Sequence, residues 1–427
     1  MYYHKFTSLV ALSLLALCTC SLNATQWAHL DSDVAVDSTV TFGTLENGMR
    51  YAILPNAEPP GRVSLRLHVD SGSLSESEDQ RGLAHFLEHM VFNGSKHFPD
   101  ASLLIPKMQR LGIAFGAHAN AYTSFDETVY MLDLPNIEED TLDLAFTVMR
   151  DFADGALLET DEIDKERGVV LAEMNSRDSV QMRLLEQRLE FLMPNFLASQ
   201  RLPIGLESVI AGAPRDRFAT YYSDNYTAQN IAFIIVGDID PDEYTTRIEN
   251  SFGSMQAIPA PEAPDLGTLP NGYGLRAGVF ADEEVSSDSL SLSTLKPYTF
   301  EPDTVENRLK YLPLQVANAI LTRRLQILAK AEGAPIKSGS ASISHWLDAI
   351  ENDNISVSPE TGKWPEAVAV MEQALRRALE FGFTQAEVNE ITANMLNAAE
   401  EAAKRASTRK SPDLASGILG SINDRSV

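Results

Sequence analysis

His85-Phe86-Leu87-Glu88-His89 puts two imidazoles and a carboxylate within five residues. On a helix that turns about 100° per residue, His85 and His89 lie about 40° apart and can grip one metal ion. Glu88 falls on the same side, within reach of a metal-bound water. The order H-x-x-E-H reverses the commoner H-E-x-x-H zinc signature. These residue types make a zinc peptidase the first hypothesis, with Glu88 close enough to work on the metal-bound water. On the same wheel Leu83, Phe86, Leu87, Met90 and Val91 form the opposite arc. The spacing therefore separates a core face from a chemical face.

Catalytic zinc takes three protein ligands and leaves a fourth position for water. The chain has two cysteines, Cys18 and Cys20, both within an N-terminal segment that reads as an export signal. Lys5 supplies its positive end, Leu9 to Leu17 an apolar run, and small residues follow, with cleavage expected near Ala24. The run is well under the ~18 residues of a membrane span. Leu17-Cys18-Thr19-Cys20 makes a poor lipobox, so a lipid anchor on Cys20 is the lesser alternative. A mature chain without thiols leaves a carboxylate or a histidine as third ligand. Asp161 to Arg177 offers Glu162, Glu166 and Glu173. Glu166 and Glu173, seven apart, differ by only about 20° on a helix, with Ile163, Val170, Leu171 and Met174 on a neighbouring arc. Periodicity alone does not separate a ligand stripe from a solvated helix face. His68 on the polar side of a strand, His97 in a loop, His118 near Asn120 and His345 beside Trp346 are expected to be ordinary surface or packed histidines.

The elements that must position these groups are legible in outline. Strands are expected at Thr39–Leu45 and Met49–Leu54 around the turn Glu46-Asn47-Gly48. Val63 to Val69 alternates like a half-buried strand. The metal helix should run from Gly82 to Phe92 and stop at Asn93-Gly94. A helix at Ala101–Arg110, strands at Ile113–Tyr122 and Thr128–Leu134, and helices at Glu138–Phe152 and Thr160–Arg177 follow. Asn230–Ile239 reads as a buried strand and Pro241–Phe252 as its helix. Between Ile258 and Gly274, four prolines and two internal glycines mark a linker. Beyond it the order repeats loosely: strands near Gly278 and at Ser289–Leu295, a helix at Val305–Ala331, strands near Ser338 and Ile355, and helices at Pro365–Glu380 and Gln385–Ala406. The second half carries no H-x-x-E-H and no match to the strand Asn230–Ile239, so it ends differently or is incomplete.

The 427 residues suit two domains of roughly 200 each. Hydrophobic residues make up 44% and charged ones 22%, a globular balance. Sixty acidic against 34 basic side chains give a net charge of -26. Such a surface repels phosphate backbones and argues against nucleic-acid binding.

Arg81 to Ser95 as a whole resembles the zinc-binding segment of the pitrilysin/insulinase family of metallopeptidases. Ala119-Asn120-Ala121-Tyr122-Thr123-Ser124, with Thr128-Val129-Tyr130, resembles that family's substrate-binding strand. Glu166-Arg167-Gly168-Val169-Val170-Leu171-Ala172-Glu173 resembles its downstream glutamate helix, and Pro203-Ile204-Gly205 and the strand ending at Gly237-Asp238 also match. The resemblance is strong from about Thr39 to Phe252 and weak beyond. It implies an α+β fold of two related domains, each a mostly antiparallel sheet covered by helices. It makes His85, His89 and Glu173 the ligands of one Zn2+ per chain, Glu88 the base and Glu166 a supporting acid, with Glu166 the replacement ligand if the register differs. Asn120, Ala121 and Tyr122 would bind substrate, the strand pairing with an extended peptide. The implied division is 1–24 signal, 25–257 catalytic domain, 258–274 linker and 275–427 second domain. Complete family enzymes have four such domains enclosing a chamber, so a second half-enzyme is the expected partner, with peptides or unfolded polypeptides as substrates. The expected location is periplasmic or secreted, with no membrane span left after signal removal. The alternative function is a zinc- and peptide-binding subunit without turnover.

Overall fold

The computed structural model describes residues 26–270 and 274–427; the leader, with Cys18 and Cys20, lies outside them. In the N-terminal unit, β1 (Thr41–Thr44), β2 (Arg50–Pro55), β3 (Val63–Val69), β4 (Ala119–Thr123), β5 (Thr128–Leu134) and β6 (Ile231–Gly237) form one sheet. Its order is β1-β2-β6-β3-β5-β4. β2 and β6 run parallel and the other neighbours antiparallel. Eight helices accompany the sheet: α1 (Leu83–Asn93), α2 (Ala101–Arg110), α3 (Glu139–Asp154), α4 (Thr160–Arg177), α5 (Val180–Leu192), α6 (Glu207–Gly212), α7 (Arg215–Asn225) and α8 (Pro241–Phe252). All but α5 supply side chains to the main core, on the face toward which Leu65, Leu67, Phe233 and Ile235 point.

The C-terminal unit contains β7 (Leu290–Pro297), α9 (Val305–Ala329), β8 (Ile336–Trp346), β9 (Ile350–Pro359), α10 (Trp364–Phe381), α11 (Gln385–Lys404) and α12 (Ser411–Asn423). Its antiparallel sheet has the order β7-β9-β8, which reproduces β3-β5-β4 of the first sheet. α1 and α2 follow β3 where α9 alone follows β7, and α3 and α4 follow the β4–β5 hairpin as α10 and α11 follow β8–β9. This is the loose repeat of the sequence made concrete. Among the described residues the second unit has no counterpart of β1, β2 or β6.

Several expectations need correction. β3 is buried along its whole length, not on one face. The cause is α12, which returns to the N-terminal unit and packs Ala415 and Leu419 against Leu54, Val129, Ile234 and Val236 on the sheet's second face. A sheet covered on both sides loses the alternation of a half-exposed one. The strand expected from Ile113 begins only at Ala119, because Gly112 (φ 81°) and Gly116 (φ 83°) turn the chain back on itself. The amide of Ala119 then bonds Ala114 O at 3.2 Å. The proline-rich linker is no free tether. Leu266 and Leu269 join a core with Leu189, Phe196 and Ile350, and Leu197 N donates to Leu266 O at 2.8 Å. The segment near Gly278 is not a strand; it is irregular chain, held where Arg183 Nε donates to Asp282 Oδ2 at 2.7 Å. Helices α5, α6, α7 and α12 were not anticipated.

Candidate metal centre

Helix α1 starts on Gly82, whose φ of 100° is closed to most side-chain-bearing residues. It packs against Gly205, where an added Cβ would sit 2.2 Å from Gly82 Cα. The two glycine motifs 81–82 and 203–205 are therefore one contact. Glu76 then caps the helix: its Oε1 accepts from Gly82 N at 2.9 Å and Ala84 N at 2.8 Å. Burial outweighs these donors and pushes the Glu76 carboxyl up to about 8. Leu83, Phe86, Leu87, Met90 and Val91 are all 0–1% exposed, as the core arc requires. The chemical arc is not open surface either. His85 is 4% and Glu88 9% exposed, because α4 lies against it.

α4 seats Ile163 and Val170 in the core and turns Glu166 and Glu173 toward α1. Glu173 Oε2 stands 3.2 Å from His89 Nε2 and 3.7 Å from His85 Nε2. Donor atoms of these three residues lie within 4.8 Å of one another. A tetrahedral zinc with bonds of about 2.1 Å keeps its ligands about 3.4 Å apart, so the donor set fits this ion. Among the described residues it is the one such cluster. Glu166 is placed differently. Its Oε1 meets His89 Nδ1 at 2.9 Å and its Oε2 accepts from Asn93 Nδ2 at 2.8 Å. A carboxylate on Nδ1 places the proton there and leaves Nε2 free as a metal donor. Arg177 pairs with Glu173 Oε1, which leaves Oε2 toward the histidines.

The electrostatics agree with these positions. Burial, then the neighbouring His89, pushes His85 down to about 4, so this ring is neutral and a competent ligand near neutral pH. Burial also lowers His89, but the Glu166 hydrogen bond and the charges of Glu88, Glu166 and Glu173 outweigh it and raise the ring. Glu166 is held below its ordinary value first by that same hydrogen bond. Burial raises Glu88, against a hydrogen bond from Thr123.

β4 is the edge strand at the α1 side of the site, with β1 at the sheet's other edge. Asp133 N bonds His118 O and Ser124 N bonds Glu127 O, so even-numbered residues of β4 direct their backbone groups at β5. The backbone groups of Ala121 and Thr123 consequently face the open edge. Asn120 is exposed there and its Oδ1 accepts from Ala121 N at 2.9 Å, which caps one edge amide. Side chains alternate. Ala119, Ala121 and Thr123 face the metal side, where Thr123 Oγ1 donates to Glu88 Oε2 at 2.6 Å. Tyr122 points to the other face and donates to Glu127 Oε1 at 2.9 Å.

Thr123 and Asn93 were given no role from the sequence. Asn93 lies one turn beyond His89 on the same helix face, a spacing that could have found it. Period-two alternation along β4 could have separated Thr123 from Tyr122. Of the other histidines, His68 departs from its expected polar face: it is 1% exposed, with Nε2 3.4 Å from Glu127 Oε2. His97 Nδ1 pairs with Asp151 Oδ1 at 2.7 Å, His118 Nδ1 accepts from Ala114 N at 3.1 Å, and His345 stacks on Tyr298. A cavity of about 1140 Å³ between the two units is lined by His68, Asp126 and His345 but by none of the metal group. No helix among the described residues is long and apolar enough to cross a membrane.

Two family models match the chain: "Insulinase (Peptidase family M16)" over residues 51–203 and "Peptidase M16 inactive domain" over 213–395. The probable zinc protease PqqL of Escherichia coli is 30% identical over 390 residues, covering 90% of this chain and 41% of that protein. The chloroplastic stromal processing peptidase of Arabidopsis thaliana is 27% identical over 425 residues, covering 84% of this chain and 32% of that one. The chain thus spans less than half the length of these relatives. The crystal structure of the first half of the periplasmic protease PqqL from Escherichia coli superposes with a TM-score of 0.86 at 27% identity, covering 92% of this chain and 84% of that one.

Proposed function

Because the chain belongs to the pitrilysin/insulinase family of zinc metallopeptidases, we propose that it hydrolyses peptide bonds at the α1–α4 site. One observation carries this reading: two imidazole Nε2 atoms and Glu173 Oε2 converge beside Glu88 and an open strand edge. His85, His89 and Glu173 would hold one zinc. When bound, that ion supplies Lewis acidity, lowering the pKa of water towards about 7 and polarising a carbonyl. The remaining work belongs to the chain. Glu88, raised by burial, accepts the water's proton and returns it to the leaving amine. Glu166 holds the His89 tautomer and ring plane. The backbone groups of Ala121 and Thr123 receive an extended peptide by strand addition, and Asn120 releases Ala121 N as it does so.

We place the catalytic domain at 25–257 and the second domain at 275–427. The short span relative to PqqL favours a second reading: a zinc- and peptide-binding half that turns over only with a partner half. By analogy with the periplasmic protease PqqL, the protein is exported. Hydrolysis of a quenched peptide with and without chelator, beside Glu88→Gln, tests the proposal. The variant should keep its zinc and lose at least ~100-fold in kcat. Cleavage by Glu88→Gln at the parental rate would show the mechanism to be wrong.

A further inference from the structure

Thr123 is the residue at which the open sheet edge meets the general base. Its backbone groups face the edge, while its Oγ1 donates to Glu88 Oε2 at 2.6 Å. It ends β4, whose Ala119 is fully buried against the core of α1, so the hydroxyl is carried on a fixed support. Glu88 has no comparable anchor on its own helix. Among the described residues, the hydrogen bond found for its carboxylate is the one from Thr123. The terminal torsion of a glutamate is broad and roughly two-fold, so a carboxylate without a donor samples many orientations. With Oε2 held by Thr123, Oε1 is the oxygen left to take a proton.

We infer that Thr123 is a positioning residue: its hydroxyl orients the Glu88 carboxylate and ties that orientation to the strand that receives the peptide. The inference rests on the peptidase reading above. A peptide paired with β4 opposite Ala121 and Thr123 is thereby registered against the base by the same residue that aims it. A base turned away from its proton costs rate and not affinity, since the peptide still pairs with the β4 backbone.

The test compares Thr123→Val and Thr123→Ser in the full-length, zinc-loaded protein, alone and in the Glu88→Gln background. Valine keeps the shape and strand preference of threonine without its hydroxyl, and serine keeps the hydroxyl alone. Thr123→Val should lower kcat ~10-fold with KM changed less than about two-fold, and Thr123→Ser should recover most of the loss. In Glu88→Gln the valine change should cost nothing further. Parental kcat in Thr123→Val, a serine variant as slow as the valine one, or an equal loss in the Glu88→Gln background would each overturn the inference. A parent protein with no chelator-sensitive hydrolysis would overturn the peptidase reading, and this inference with it.

Discussion

At His89 two carboxylates share one imidazole: Glu166 takes Nδ1 and Glu173 faces Nε2. The chemistry of the ring favours Glu173 as the proposed ligand. A metal needs an Nε2 lone pair, and a carboxylate bonded to Nδ1–H supplies one by fixing the tautomer. His85 has no such partner. Its Nδ1 is buried without a hydrogen bond, so packing alone orients that ring. Removing the charge of Glu173 should therefore strip zinc more completely than removing that of Glu166. Zinc affinity measured by competition with a chromophoric chelator should fall 10–100-fold in Glu166→Gln and further in Glu173→Gln. The reverse order would exchange the two roles.

At the scale of the element, α1 begins on a buried acid. Glu76 accepts two helix amides through Oε1, while its Oε2 is buried without a partner. Its carboxyl rises from 4.5 to about 8 because burial outweighs those donors. The native state then binds a proton that the unfolded chain has released, and stability declines as pH rises through that window. The limiting slope is about 1.4 kcal/mol per pH unit. Glu76→Gln keeps an oxygen for both amides and cannot ionise. Its melting temperature should vary less between pH 5 and 8 than the parent's and exceed it at the alkaline end. Parallel melting curves for the two proteins would show instead that the helix amides keep Glu76 ionised. The ends of α2, α4 and α8 fall as predicted; Asp100 and Asp240 cap the starts of α2 and α8, while α4 starts on Glu159 without a side-chain cap. Those of β4 do not, since the Gly112 and Gly116 turns interrupt an apolar run that reads as continuous.

At the scale of the whole molecule, α12 joins the two units by returning from the second to cover the sheet of the first. Ser411 N bonds Glu58 O at 2.8 Å and Leu419 is 5% exposed on the sheet. Leu419→Ala should cost about 2–5 kcal/mol in urea unfolding. The loss should register in the fluorescence of both units as one shifted transition. A first unit that unfolds at its parental midpoint would mean that α12 does not support its sheet. The same return explains why β3 misleads a sequence reader: its second cover lies in a helix with two internal glycines, far along the chain and weak in local helix signal.

The sequence by itself determined which residues are candidates for the chemistry. H-x-x-E-H on an amphipathic helix marks two candidate ligands, a carboxylate beside them and a core face, because 3.6-residue periodicity is a local property. The helix of Glu166 and Glu173 was singled out by the resemblance and not by its spacing alone. Spacing left open which of those glutamates meets the histidine Nε2 atoms, where the resemblance pointed to Glu173, and it left open which face of β4 looks toward Glu88 and what covers the back of the sheet. Only the tertiary structure decided these. Each depends on how elements distant in sequence are rotated against one another, and that rotation follows from packing between them: α4 on α1, β4 on β5, and α12 on β3 and β6.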